Sequence, residues 1–117
     1  MTRVAATLVL ALGAILAWVG LAGASSHGYA TRATIKQVDE DTYNGRVFSS
    51  RDECVGHRKI ELWKQFAGPN QKIDTFKADA EGRWSYDVLG SQFYVIAKRK
   101  TLGPEGHLCR EDRSRTV

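Results

Sequence analysis

Beyond residue 31 the apolar positions recur with a period of two, in short runs separated by turn residues. In the run 33–38, Ala33, Ile35 and Gln37 alternate with Thr34, Lys36 and Val38. Asp39-Glu40-Asp41 follows as an acidic turn. In the run 43–50, Tyr43, Gly45 and Val47 share one face, and Asn44, Arg46 and Phe48 the other. Gly45 inside a strand marks a bulge or a close backbone approach. Asn44-Gly45 as a hairpin turn is the alternative. It is disfavoured because the polar connection at 39–41 already reverses the chain.

The run 58–64 is the clearest strand, with Ile60 and Leu62 facing in and Lys59, Glu61 and Trp63 facing out. Gly68-Pro69-Asn70 carries strong turn chemistry. In the run 72–78, Ile73, Thr75 and Lys77 oppose Asp74 and Phe76. Asp79-Ala80-Glu81-Gly82 reads as a turn with glycine at its last position. The run 83–88 puts Trp84, Tyr86 and Val88 on one face. The run 92–98 is apolar on both faces, which predicts a central strand covered on both sides. Lys98-Arg99-Lys100 is expected to end that strand in solvent. A loop with Gly103-Pro104 leads to a last strand over 108–117, with Cys109 near its start. Beyond residue 24 there is no amphipathic helix of useful length and no internal repeat. Seven short strands at this spacing predict an all-β, antiparallel, Greek-key-like sandwich.

The first 24 residues follow a different rule. A single cation, Arg3, precedes an uncharged run over 4–22, and small residues close it. This is the layout of a secretory signal. Ala22-Gly23-Ala24 supplies the preferred cleavage site, and Gly28-Tyr29-Ala30 a second. The alternative is an uncleaved membrane anchor, since a run of about 18 residues approaches the lower limit for a span. The expected organisation is a signal peptide over 1–24, a flexible lead-in over 25–31, and one sandwich domain over 32–117. The expected location is secreted or extracytoplasmic, in the cell envelope, with membrane contact only if the first segment stays attached.

Export changes the meaning of the two cysteines, Cys54 and Cys109. In an oxidising compartment a pair reads as a disulfide. The bridge would close a loop of about 56 residues, worth roughly 4 kcal/mol to a domain this small. The net charge is +4 and the pI 9.3. That is mildly basic, and export argues against a nucleic-acid partner.

The succession Gly45-x-Val47, Cys54, Arg58-Lys59-Ile60-x-Leu62-Trp63, Gly68-Pro69, Lys72-Ile73, Asp79-x-x-Gly82-x-Trp84, Phe93-Tyr94-Val95, Cys109 and the terminal Ser114-Arg115-Thr116-Val117 resembles a known family. It is similar to the small secreted transthyretin-like sandwiches related to carboxypeptidase regulatory domains, in their bacterial exported form. Nematode secreted transthyretin-like proteins are a more distant alternative. The likeness covers about residues 43–117. It implies an immunoglobulin-like arrangement of strands and an accessory or ligand-binding role, and it brings no catalytic residues.

Chemistry-bearing clusters are few. Cys54-x-x-His57 and His107-x-Cys109 contain the ligand types of a zinc site, but a disulfide would consume both thiolates. His57 and His107 then remain as a weak alternative for a surface metal or proton site. Neither a Gly-x-Ser-x-Gly elbow nor a free cysteine nucleophile is expected, so no enzyme and no cofactor are expected. The candidate binding surface is Trp63 and Phe66 with the basic groups Arg58, Lys98, Arg99 and Lys100. The functional expectation is a non-catalytic binding or structural module whose partner is a protein or an envelope component. A carbohydrate or small-ligand domain using Trp63 is the alternative.

Overall fold

The computed structural model describes residues 28–117, and over them the chain is all-β. Its strands are β1 (Gly28–Tyr29), β2 (Thr31–Ala33), β3 (Lys36–Asp39), β4 (Thr42–Ser49), β5 (Lys59–Lys64), β6 (Gln71–Lys77), β7 (Arg83–Asp87), β8 (Phe93–Ala97), β9 (Lys100–Leu102), β10 (His107–Cys109) and β11 (Asp112–Arg113). A 3₁₀ turn, Asp52–Cys54, precedes β5.

Three sheets result. The first has the order β11-β8-β5-β6. In the second, β4 is flanked by β7 on one side and by β2 and then β3 on the other. The third is small: β10 lies between β9 and a parallel β1.

The first two sheets enclose one core, so the domain is sandwich-like. Ile60, Leu62, Phe93, Val95 and Ala97 meet Tyr43, Val47, Ile35, Ala33 and Trp84 there. These are the inward positions that alternation predicts. Tyr43 and Phe93 meet edge to face, with centroids 5.1 Å apart, and the Tyr43 hydroxyl donates to the Gly90 carbonyl at 2.6 Å. Asp112 joins the two sheets at one side, its carboxylate accepting from the Ala33 N–H at 2.8 Å.

Gly45 is the close approach its position suggests. A Cβ there would lie 2.0 Å from the Thr34 carbonyl oxygen and 2.7 Å from the Trp84 ring. The chain bends inward at Thr34 and Ile35, which is why the expected strand over 33–38 is broken into β2 and β3. Thr34 closes the break with its own hydroxyl, which accepts from the Arg46 N–H at 3.0 Å. The turn after β6 also forms as expected. Asp79 Oδ1 accepts from the N–H groups of Glu81 and Arg83, and Gly82 takes a φ of 82° that other residues rarely adopt.

Two edge strands, β3 and β6, carry a register shift. Along β3 and β4, Gln37 faces Tyr43 and Asp39 faces Thr42, so Val38 is an extra residue. Along β5 and β6, Leu62 faces Asp74 and Trp63 faces Lys72, so Ile73 is extra.

Three expectations are corrected. Eleven strands replace the seven among the described residues, because the first and last runs divide and β1 and β9 are added. The last run divides into β10, which serves the third sheet, and β11, which serves the first. Its remainder still follows β8, through Ser114 N–H to Val95 O and a reciprocal pair between Val117 and Phe93. Gly28–Tyr29 is not a loose lead-in but the strand β1, held by its ladder to β10 and by Arg110 N–H to Tyr29 O. The expected signal segment 1–24 lies outside the described residues.

Cys54 and Cys109 form the disulfide, with Cα atoms 5.4 Å apart. Leu102 and Tyr29 pack around it as a second small core. The bridge ties the turn before β5 to the third sheet.

Candidate functional site

Outside the core the molecule has two polar sheet faces and a joint at the disulfide. The sequence-derived candidates fall on the first face and the joint. Four cations without an acidic partner among the described residues fall on the second face.

On the outer face of the first sheet, three side chains stack across neighbouring strands. Arg113 of β11 places its guanidinium 3.8 Å from the Tyr94 ring centroid. Tyr94 of β8 lies nearly parallel to Trp63 of β5, at 7° and 6.3 Å between centroids. The Trp63 indole donates to Glu61 at 3.1 Å, and Asn70 donates to the Tyr94 hydroxyl at 3.0 Å. This row, not a second layer of chain, buries the outer side of β8. Trp63 therefore faces outward as alternation requires, but it is half-buried and its N–H is engaged. Glu61, expected in solvent, is buried beneath the row, with Lys72 at 3.7 Å and Lys98 at 3.9 Å.

The remaining candidates disperse. Phe66 is exposed in the loop after β5, with the Lys64 ammonium 5.7 Å from its ring. Lys98 pairs with Glu111 at 2.9 Å, and that hydrogen bond, before any other cause, raises its pKa above the usual lysine range. Lys100 donates to the Glu53 carbonyl at 3.1 Å. Arg99 is exposed. The basic run is thus not left in solvent as a unit, since two of its three members have partners.

Arg58 is the largest departure, for it is fully buried and offers nothing to a ligand. Its fork donates to the carbonyls of Cys54 (2.6 Å), Lys98 (2.8 and 3.1 Å) and Arg110 (3.0 Å), and to the Thr31 hydroxyl (3.1 Å). Those five bonds match the five donors of a guanidinium. Burial pushes its pKa down, yet an arginine stays charged. The four carbonyl bonds and the hydroxyl stabilise that charge without a carboxylate.

The histidines stay apart in role. His57 is exposed, with a left-handed φ of 54°, beside the turn at Asp79. His107 lies on β10, its ring 6.1 Å from Tyr29 and its Nε2 3.9 Å from Glu105. Among the described residues no three of His, Cys, Asp and Glu are grouped so as to hold a metal.

The second sheet presents what the sequence reading missed. Arg32 of β2, Lys36 of β3, Arg46 of β4 and Arg83 of β7 alternate with inward residues, so they share its outer face. Among the described residues none has a carboxylate oxygen within 4.0 Å, and Arg46 donates its Nε–H to the Glu81 carbonyl at 3.3 Å. Phe48 lies among them, with Arg32 at 4.5 Å and Arg46 at 5.1 Å from its ring. Arg46 and Arg83 stand directly opposite each other in the ladder, a like-charge placement that costs stability. A cleft of about 450 Å³ opens between them and Lys36, over Gly45. The alternation of Arg46 against Tyr43 and Val47 was visible in the sequence. The strand pairing that brings Arg83 and Lys36 beside it was not.

No family model, curated protein or solved structure matches the chain. The class the molecule defines is therefore a structural one: a disulfide-bonded, sandwich-like all-β domain with one unneutralised cationic face.

Proposed function

We propose that the protein is a non-catalytic extracytoplasmic module that binds an anionic component of the cell envelope through the outer face of its second sheet. One observation carries this reading. Arg32, Lys36, Arg46 and Arg83 share that face and among the described residues none is paired with an acid, whereas Lys98 has an acidic partner and Arg58 is buried. Unpaired like charges on a rigid sheet attract a polyanion and lose little entropy on binding it. The disulfide agrees with an oxidising compartment. Among the described residues no helix is long and apolar enough to cross a membrane.

Kinship with the transthyretin-like sandwiches, including their Greek-key order of strands, belongs to the same proposal. The close approach at Gly45 and the turn from Asp79 to Gly82 before Trp84 support it. The carbohydrate reading of Trp63 draws less support, because the indole N–H is bonded to Glu61 and the ring is aligned with Tyr94.

The test is retention on a phosphate-bearing polymer and on a neutral glucan. Retention on the first is expected to fall with salt and to be lost in an Arg32→Ala/Lys36→Ala/Arg83→Ala variant. Retention on the glucan that depends on Trp63 would favour the carbohydrate reading instead.

A further inference from the structure

We propose that the cleft between Lys36, Arg46 and Arg83 is a discrete binding site for a phosphate or sulfate ester, and this deepens the reading of that face as the contact surface. Two observations carry it, the opposed cations and the cleft, and a buried indole beside the cleft supplies a reporter. The first is the opposition of Arg46 and Arg83 across β4 and β7: Arg46 donates its Nε–H to the Glu81 carbonyl at 3.3 Å, and among the described residues neither guanidinium has a carboxylate oxygen within 4.0 Å. A doubly charged oxyanion placed between two guanidinium forks converts that repulsion into paired, charge-assisted hydrogen bonds.

The reporter is a polar atom left without a partner. Trp84 is 5% exposed, lines the cleft, and has an Nε1–H that meets no acceptor among the described residues. The ring belongs to the core beside Gly45 and its Nε1 is closed to solvent, so the indole reports on the floor of the cleft without touching what fills it.

The second observation is shape. The cleft lies over Gly45 and the break between β2 and β3, with Lys36, Arg46 and Arg83 among its lining residues, and Asn44 adds an amide to its wall. Its volume, about 450 Å³, lies in the range of small-molecule sites. It exceeds a bare ion and suits an anion that carries its esterified group. Three cations also outweigh a single carboxylate, so a dianion balances the site better.

The experiment is a titration of the ¹⁵N-labelled protein, at constant ionic strength in chloride, with inorganic phosphate, sulfate and glycerol phosphate. The Trp84 indole N–H resonance is expected to move saturably while that of Trp63 stays in place. Lys36→Ala and Arg83→Ala, both exposed in the native fold, should each weaken binding about tenfold. Glycerol phosphate should bind more tightly than inorganic phosphate if the ester is part of what is recognised, and a preference for sulfate would name the other ester. A Trp84 resonance that stays fixed at tens of millimolar of every anion overturns the site. So does a shift that both variants leave unchanged. If the polymer of the preceding test is still retained while Trp84 does not move, the site fails and the cationic face stands. If neither polymer nor small anion binds, both fall.

Discussion

Arg58 donates to the carbonyl oxygen of Cys54 at 2.6 Å, so the buried guanidinium lies against one end of the disulfide. Another of its bonds reaches Arg110, the residue after Cys109. The covalent bridge and the arginine therefore span the same joint. One fixes the two cysteines, and the other fixes the backbone beside them.

Removal of Arg58 should be among the most damaging single changes. Arg58→Met leaves three carbonyl groups without their donor, and a loss of about 3–5 kcal/mol is expected. Arg58→Lys should recover less than half of it, because one ammonium has three donors and no fork. Urea unfolding of the oxidised variants measures both. A loss below about 1 kcal/mol for either would show that the joint relies on the bridge alone. Reduction of the bridge should cost roughly 4 kcal/mol by the chain-entropy estimate.

Gly45→Ala tests the bend that separates β2 from β3. The new Cβ would meet the Thr34 carbonyl oxygen and the Trp84 ring, at 2.0 and 2.7 Å. Backbone cannot yield as a side-chain tip can, so about 2–3 kcal/mol of destabilisation is expected. Thermal unfolding within a degree of the parent would contradict this close approach.

The acidic turn makes a prediction about pH. Hydrogen bonding with Asp41 holds the Asp39 carboxyl below the usual aspartate range, and the Asp41 backbone N–H adds to it. Asp41, hydrogen-bonded to Asp39 and near its charge, is held above that range. On acidification Asp41 should therefore protonate first and Asp39 last. The signs for stability are opposite. The raised Asp41 favours the fold as pH falls through its own pKa. The lowered Asp39 withdraws its contribution as pH falls further, through its folded pKa. Carboxyl ¹³C titration reads the order directly, and Asp41→Ala should bring Asp39 back toward its ordinary range. Titration of the two together would refute this order.

If the chain is exported and processed, strand β1 favours the first of the two expected cleavage sites. Processing after Ala24 keeps Tyr29, which accepts from Arg110 through its carbonyl and from Arg51 through its hydroxyl at 2.8 Å. Processing after Ala30 removes β1 and uncovers the disulfide core. The intact mass of the exported protein is expected to begin at Ser25. A mass beginning at Thr31 would leave β10 without its parallel partner.

Much of the interior was legible because it depends on alternation. Ile60 and Leu62 point inward, Gly45 marks a close approach, and Asp79 to Gly82 turns the chain, each from local residues alone. The cysteine pair was legible from compartment and count. Arg58 was not. Beside Lys59 it reads as a surface cation, and most of its acceptors, at Thr31, Lys98 and Arg110, are distant along the chain. The cationic face was hidden for the same reason. Its members come from four strands, and only the pairing of β4 with β2, β3 and β7 assembles them.

The extra residues Val38 and Ile73 bear on how copies of the domain behave when crowded. Each sits at an open border of a sheet, exposed at 51% and 36% respectively. A border interrupted in this way is a poor template for another chain, since an incoming strand cannot keep its hydrogen bonds in step past the kink. Deleting either residue would straighten the border and leave a regular row of donors and acceptors. At the β3 and β6 borders, protection against strand addition thus rests on a single-residue irregularity each, whereas the β7 border runs beside β4 without one.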